Sequence, residues 1–300
     1  MATAVGLPTQ EKAHVTVVGQ KQHWYTSLPL HIVVILISVI WLLPTVALLF
    51  TSVRNVQDIN TSLWWNLLWQ PHQFTLQNYQ QVFGATSTIG MGQAFLNSLI
   101  ITIPATLFPI IIAAGAAYAF AWLKFPLRNT IFLTLVALQI VPLQMLLIPV
   151  LRLFTDWGLT GTFPALWIAH TAFGLPLAVY IMRNFMSGIP YDLLESARVD
   201  GAGEIRIFSR IILPLSTPAI AAIAIFQFMW VWNDLLVALV FSGPNSYPMP
   251  VVIRSLVGEY GSGWQYMTSA AFISMALPLA VFFGLQRYFV SGLTAGSVKG

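Results

Sequence analysis

The chain has 300 residues, 57% of them hydrophobic and only 7% charged, with a net charge of +4 and no cysteine. A soluble domain carries roughly 25% charged residues, so lipid must solvate much of this surface. The missing cysteine excludes disulfides, thiolate metal sites and cysteine nucleophiles, and the basic residues are too dispersed to form a nucleic-acid patch.

Residues 1–27 read as a cytoplasmic N-terminal tail. The apolar stretch 28–50 is longer than a signal-peptide core and lacks a small-residue cleavage site, so it reads as a first spanning helix. Residues 51–96, rich in Asn, Gln and Trp, read as an extracytoplasmic loop, with Trp64, Trp65 and Trp69 on a short segment against the outer membrane face. Five further spans are expected near 97–122, 131–154, 164–185, 215–241 and 269–289, within a core of 97–289. Each has room for the roughly 20 apolar residues that a spanning helix needs. Residues 187–214 form a cytoplasmic loop inside that core, and 290–300 a cytoplasmic tail. The fold class is therefore all-α, a polytopic membrane protein with six helices and both termini cytoplasmic. Long apolar runs exclude a transmembrane barrel, which alternates residue by residue.

Loop charge sets the orientation. Lys12, Lys21, Lys124, Arg128, Arg183, Arg198, Arg206, Arg210, Arg287 and Lys299 fall on the side assigned to the cytoplasm, and Arg54, Arg152 and Arg254 on the other. That is the positive-inside pattern. Trp24, Tyr25, Trp122 and Tyr288 flank spans as interface anchors.

Enzyme chemistry lacks its parts. No lysine follows a glycine, so the phosphate-binding Gly-Lys pair is missing, and the glutamates at 11, 195, 204 and 259 build no HExxH helix. His14, His23, His31, His72 and His170 show no metal-ligand spacing.

The loop 187–214, SGIPYDLLESARVDGAGEIRIFSRIILP, reads as two short helices. Pro190 suits a first turn, with Asp192 and Glu195 near the positive helix end. Gly201 stands where a helix terminus needs a left-handed residue. A second helix starts near Glu204 with Ile205, Phe208 and Ile212 on one face, and Pro214 opens the fifth span. Glu195 either meets a basic residue of a partner or braces the loop through Arg198.

Glu195-Ser196-Ala197, three residues, Gly201, nine residues and Ile211-Ile212-Leu213-Pro214 match the EAA signature, with Ser196 replacing the middle alanine. On these residues the chain resembles the permease subunits of binding-protein-dependent ABC importers. Asn97-Ser98, Pro190-x-x-Leu-x-Glu, Trp230-Val-Trp-Asn233-Asp234 and the C-terminal run from Gln286 look like the MalG-type carbohydrate-uptake branch. The resemblance implies that Glu195, Ser196, Ala197, Asp200, Gly201, Ile211, Leu213 and Pro214 couple to an ATP-binding subunit. It implies a second homologous permease, two cytosolic ATP-binding subunits and an extracytoplasmic solute-binding protein as partners. ATP and Mg would belong to those partners, with no cofactor in this chain and a prokaryotic cytoplasmic membrane as its place. The C-terminal tail would contact the ATP-binding subunits. The implied cargo is a disaccharide, an oligosaccharide or a glycosylated polyol.

Asp234 is the acidic residue placed inside a span, where a charge is costly and usually faces a wet cavity or the bundle interior. With Asn233 it either lines the translocation path or satisfies a helix contact near the outer interface. Gln139, Gln144 and Gln227 are further pathway candidates, and His170 a weaker one; interhelical hydrogen bonding explains such residues equally well. An ion-coupled secondary transporter is the rival reading, and it would want more intramembrane charges than Asp234.

Overall fold

The computed structural model describes residues 28–83, 90–258 and 263–295, with side chains through Gly284. The tail 1–27, with Trp24 and Tyr25, and the last five residues of the C-terminal tail lie outside the described residues. The chain divides into two units, 1–47 and 48–300. In the first unit, the helix α1 (Leu28–Ser52) begins with Leu, Ile, Val and Trp side chains exposed all around it. Such an all-round apolar surface suits lipid rather than water.

The second unit is built on the pairing of α2 (Met91–Trp122) with α5 (Phe163–Met186). Alanines at 105, 113, 114, 117, 165, 169 and 178 are buried along these helices. Small side chains let two backbones approach, which is how membrane helices gain contact when lipid is as apolar as they are. α2 starts six residues before the expected position and carries Pro104 and Pro109 inside it.

The expected straight span at 131–154 is broken. α3 (Arg128–Ala137) runs through a 3-10 turn to Ile140, and α4 (Leu143–Asp156) leaves at 102° to it. Pro142 is the cause: it disfavours helical backbone at the residue before it, and Val141 is extended at φ −72°, ψ 120°.

The expected span at 215–241 is broken twice. α6 (Tyr191–Val199) is followed by α7 (Glu204–Ile207), which continues through a π-turn at Phe208–Ile212 to Leu215. α8 (Thr217–Asn233) then departs at 70°. Pro214 therefore sits inside the helical run that precedes the span rather than opening the span. Pro218, in the first turn of α8, cannot donate back to the previous turn, so the bend falls at Ser216. Extended backbone at Asp234 ends α8, and α9 (Leu236–Phe241) follows.

α10 (Met249–Ser255) leads to α11 (Trp264–Ala295), which begins before and ends after the expected 269–289. Six of the tail residues, 290–295, are thus helical. Among the described residues there is no strand, only two isolated bridges. Among the described residues four helices are long and apolar enough to cross a membrane, and up to six spans result if each bent pair is one.

The segment expected as an outer loop is structured. Short helices occupy Val56–Thr61, Trp64–Leu68 and Gln77–Phe83, wrapped around Arg54, which is 1% exposed. The Arg54 guanidinium donates to Gln73 Oε1 at 2.9 Å, to the Asp58 carbonyl at 2.9 Å and to Ser62 Oγ. Asn78 donates to the Ser52 and Arg54 carbonyls at 2.9 and 2.8 Å. Trp69 and Trp65 are exposed, whereas Trp64 packs edge-on against Phe50.

Candidate functional site

Two places gather the candidate residues. The first is the hairpin of α6 and α7. Pro190 precedes α6, Gly201 has φ +79°, and Gly203 caps α7. Leu194 and Ala197 point inward, joining Ala114, Ala117, Tyr118, Met182, Met186, Ile207 and Ile212 in one apolar cluster. Glu195, Ser196, Asp200 and Pro214 are exposed, and Ile211 and Leu213 half-buried. Ile207, not Ile205, supplies the buried face of α7; Ile205 is 84% exposed and Val199 83%. The reason is the π-turn, which adds a residue and rotates the face between Ile207 and Ile212.

Arg198 does not turn to Glu195. Its Nε donates to Glu204 Oε1 at 3.0 Å, and a second guanidinium nitrogen reaches the Tyr191 hydroxyl at 3.3 Å. Tyr118 of α2 donates to the other Glu204 oxygen. Hydrogen bonds from Tyr118, then Arg198, hold the Glu204 carboxyl below the usual carboxylate range. This clamp ties both hairpin helices to α2 across the glycine turn. Sequence reading missed it, although Arg198 and Glu204 flank Gly201 in a way that a reversed chain brings together.

The second place is a polar seam between α2, α5 and α8. Gln227 Nε2 donates to the Ala105 carbonyl at 3.1 Å and lies 3.4 Å from the His170 carbonyl. Gly174 makes room for it: a Cβ there would lie 2.5 Å from the Gln227 amide. Two turns along α8, Asp234 Oδ2 stands 3.4 Å from His170 Nε2, with side chains 8% and 1% exposed. The contact lies outside hydrogen-bond geometry, so it is a close approach of the two side chains rather than a hydrogen bond. His170 Nδ1 is 2.9 Å from the Leu166 carbonyl, and a carbonyl can only accept, so Nδ1 carries a hydrogen. Asp234 also accepts the Ala238 backbone N–H at 3.1 Å, which caps the broken end of the span. Asp234 is thus at a helix break, not within a helix, and its carboxylate is turned inward.

Beside the seam lies a cavity of about 680 Å³ whose wall includes Gln139, Phe173, Gly174, Gln227 and Trp230. Gln139 and Gln227 therefore meet at one place, 88 residues apart in sequence, because the break at Pro142 turns the end of α3 toward α5 and α8. Gln144 and Asn233 are exposed and do not line this cavity; Asn233 donates to the Met229 carbonyl.

Residues 105–295 match the family model of the binding-protein-dependent transport system inner membrane component. The chain belongs to that family. An osmoprotective compounds uptake permease protein, GgtD, of Synechocystis is 52% identical over 286 residues, 94% of this chain and 95% of that one. An alpha-glucoside transport system permease protein, AglG, of Rhizobium meliloti is 52% identical over 77% of this chain, and the match spans 62% of that longer protein. A melibiose/raffinose/stachyose import permease protein, MelC, of Bacillus subtilis is 31% identical over 86% of this chain and 91% of its own. In fold, a bacterial ABC transporter that imports the acidic polysaccharide alginate superposes with a TM-score of 0.73 at 18% identity, covering 88% of this chain and 96% of that one. The permease is an integral subunit of an ABC importer in the inner membrane, and its family works with a binding protein.

Proposed function

We propose that this permease, paired with a second homologous permease, carries a carbohydrate inward by coupling to two ATP-binding subunits. An extracytoplasmic solute-binding protein delivers the cargo. The cargo class is a disaccharide, an oligosaccharide or a glycosylated polyol, the reading that relatives named for alpha-glucosides and for melibiose, raffinose and stachyose support. ATP and magnesium act in the partner subunits, and this chain contributes no cofactor. The α6–α7 hairpin is the coupling element, with Glu195, Ser196, Ala197, Asp200, Gly201, Ile211, Leu213 and Pro214 forming or supporting it.

The observation that carries this reading is the outward display of Val199 and Ile205 on a hairpin whose inner face is locked. Large aliphatic side chains that exposed at a polar turn suit a groove in another protein. The clamp of Arg198, Glu204 and Tyr118 makes the hairpin move with α2, so a push on the turn reaches the spanning helices. Energy enters because the ATP-binding dimer contacts the hairpins differently in its open and closed states. An ion-coupled carrier fits less well, since Asp234 accepts the Ala238 amide at the helix break.

Copurification tests this directly. The assembled complex retains its ATP-binding subunits, and loaded binding protein raises its ATPase rate; Ile205→Glu, which alters an exposed side chain, weakens both. Full retention and full stimulation in Ile205→Glu would remove the hairpin from the coupling path.

A further inference from the structure

We propose that the cavity between α3, α5 and α8 is a binding subsite for an uncharged saccharide, with Gln227, Gln139 and Trp230 as its recognition groups. The inference rests on the carbohydrate reading above and adds the place and the charge class. The cavity measures about 680 Å³, within the roughly 300–1,000 Å³ of small-molecule sites.

Its chemistry is that of a sugar site. Among the described residues no charged side chain lines it; the wall is aliphatic and aromatic, broken by two carboxamides. The orientation of one carboxamide is fixed. Gln227 Nε2 faces two backbone carbonyls, which can only accept, so the amide cannot be flipped. Its Oε1 makes no hydrogen bond among the described residues and remains an acceptor for a hydroxyl. The Trp230 indole N–H likewise donates to no protein atom among the described residues. Trp230 is itself positioned, its ring edge-on to His170 with centroids 5.4 Å apart. An aromatic face, a fixed acceptor and a free donor match the C–H face and hydroxyls of a pyranose.

The same lining rejects anions. A carboxylate or sulfonate would lose its hydration in a cavity whose lining, among the described residues, offers no cationic side chain. His170, the nearest imidazole, spends Nδ1 on Leu166 and turns Nε2 to Asp234.

The chain contains no cysteine, so Leu138→Cys places a unique thiol of this subunit on the exposed cavity wall. In the full complex, with the other subunits made cysteine-free and binding protein absent, the maleimide labelling rate of that thiol is measured. Maltose and raffinose are the uncharged probes; maltobionate is the anionic one. The uncharged probes should slow labelling in a saturable way, and maltobionate should not. Measured against its own unprotected rate, the added Gln227→Leu should raise the concentration needed for protection by about tenfold, the factor for one good hydrogen bond. Absence of protection by either uncharged probe, equal protection by maltobionate, or full protection in Gln227→Leu would each overturn the proposal. Stimulation of ATPase by loaded binding protein is read on the same preparation. If it persists while protection fails, the importer reading stands and the subsite falls.

Discussion

The α6–α7 hairpin and the seam between α2, α5 and α8 each depend on a glycine, for opposite reasons. Gly201 holds φ +79° in open space, where an added Cβ would touch nothing. Its demand is conformational. Gly174 lies in ordinary helix, but a Cβ there would come within 2.5 Å of the Gln227 amide. Its demand is spatial. The hairpin's defining contacts are mostly local, with Arg198 and Glu204 only six residues apart. Those of the seam join residues 57 to 122 positions apart. The turn of the hairpin is set by the backbone beside it, although its inner face packs on α2 and α5. The seam is set by contacts between three helices and has no local determinant.

Removing an anchor of the seam should give the largest effect. Asp234→Ala leaves the Ala238 N–H without its acceptor and removes the side chain packed beside His170. An orphaned buried donor costs about 1–3 kcal/mol. The expected outcome is a marked fall in the melting temperature of the purified complex and reduced assembly. Asp234→Asn keeps an acceptor for Ala238 and should lose stability less, while transport still falls. Equal stability of Asp234→Ala and wild type would mean that the seam contributes nothing to holding the span break.

That contrast also explains what could be read from the sequence. The hairpin was legible, because Pro190, Gly201 and the spacing of apolar residues speak through the backbone nearest to them. One reading there was off by two residues: Ile207 replaces Ile205 on the buried face, since a π-turn leaves no local signature in composition. The seam was legible only as a set of suspicious polar residues. Gln139 and Gln227 belong to one cavity, whereas Gln144 and Asn233 do not, and only the breaks at Pro142 and Asp234 decide between them. Prolines were visible in every expected span, but tertiary contacts decide which prolines break a membrane helix. Pro44, Pro104 and Pro176 lie inside continuous helices.

Next in size are the glycines themselves. Gly174→Val must displace Gln227 or part α5 from α8, an overpacking cost of about 1–3 kcal/mol. The double variant Gly174→Val with Gln227→Ala removes the clash and should recover part of the stability, a non-additive pair in a double-mutant cycle. Gly201→Val has no clash to relieve, so no second-site truncation should rescue it. Its left-handed backbone costs about 1–2 kcal/mol for a residue with a Cβ, more for a branched one, while Gly201→Asn should be tolerated. The Gly201→Val complex should insert normally yet lose stimulation of ATPase by loaded binding protein. Rescue of Gly201→Val by a neighbouring truncation would show that its demand is spatial after all.

The clamp on the hairpin should give the smallest effect, and its sign with pH can be worked out. Glu204 has a lowered pKa in the folded chain because Tyr118 and Arg198 donate to its carboxylate. A depressed carboxyl contributes stability that is fully present above its unfolded pKa of about 4.3 and is lost as pH falls through the folded value. Arg198 and Glu204 are 30% and 44% exposed, so solvent screens the pair and the contribution is at most about 1 kcal/mol. The measurement is the difference in melting temperature between wild type and Glu204→Gln, followed from neutral pH downward, at low and high salt. A small advantage for wild type at neutral pH should shrink below pH 4 as the carboxylate protonates, and salt should reduce it. Because the clamp joins the hairpin to α2 rather than building either, Glu204→Gln should alter ATPase coupling more than it alters stability. A stability loss as large as that of Asp234→Ala would place the clamp among the packing elements. It would also erase the distinction between a locally built hairpin and a long-range seam.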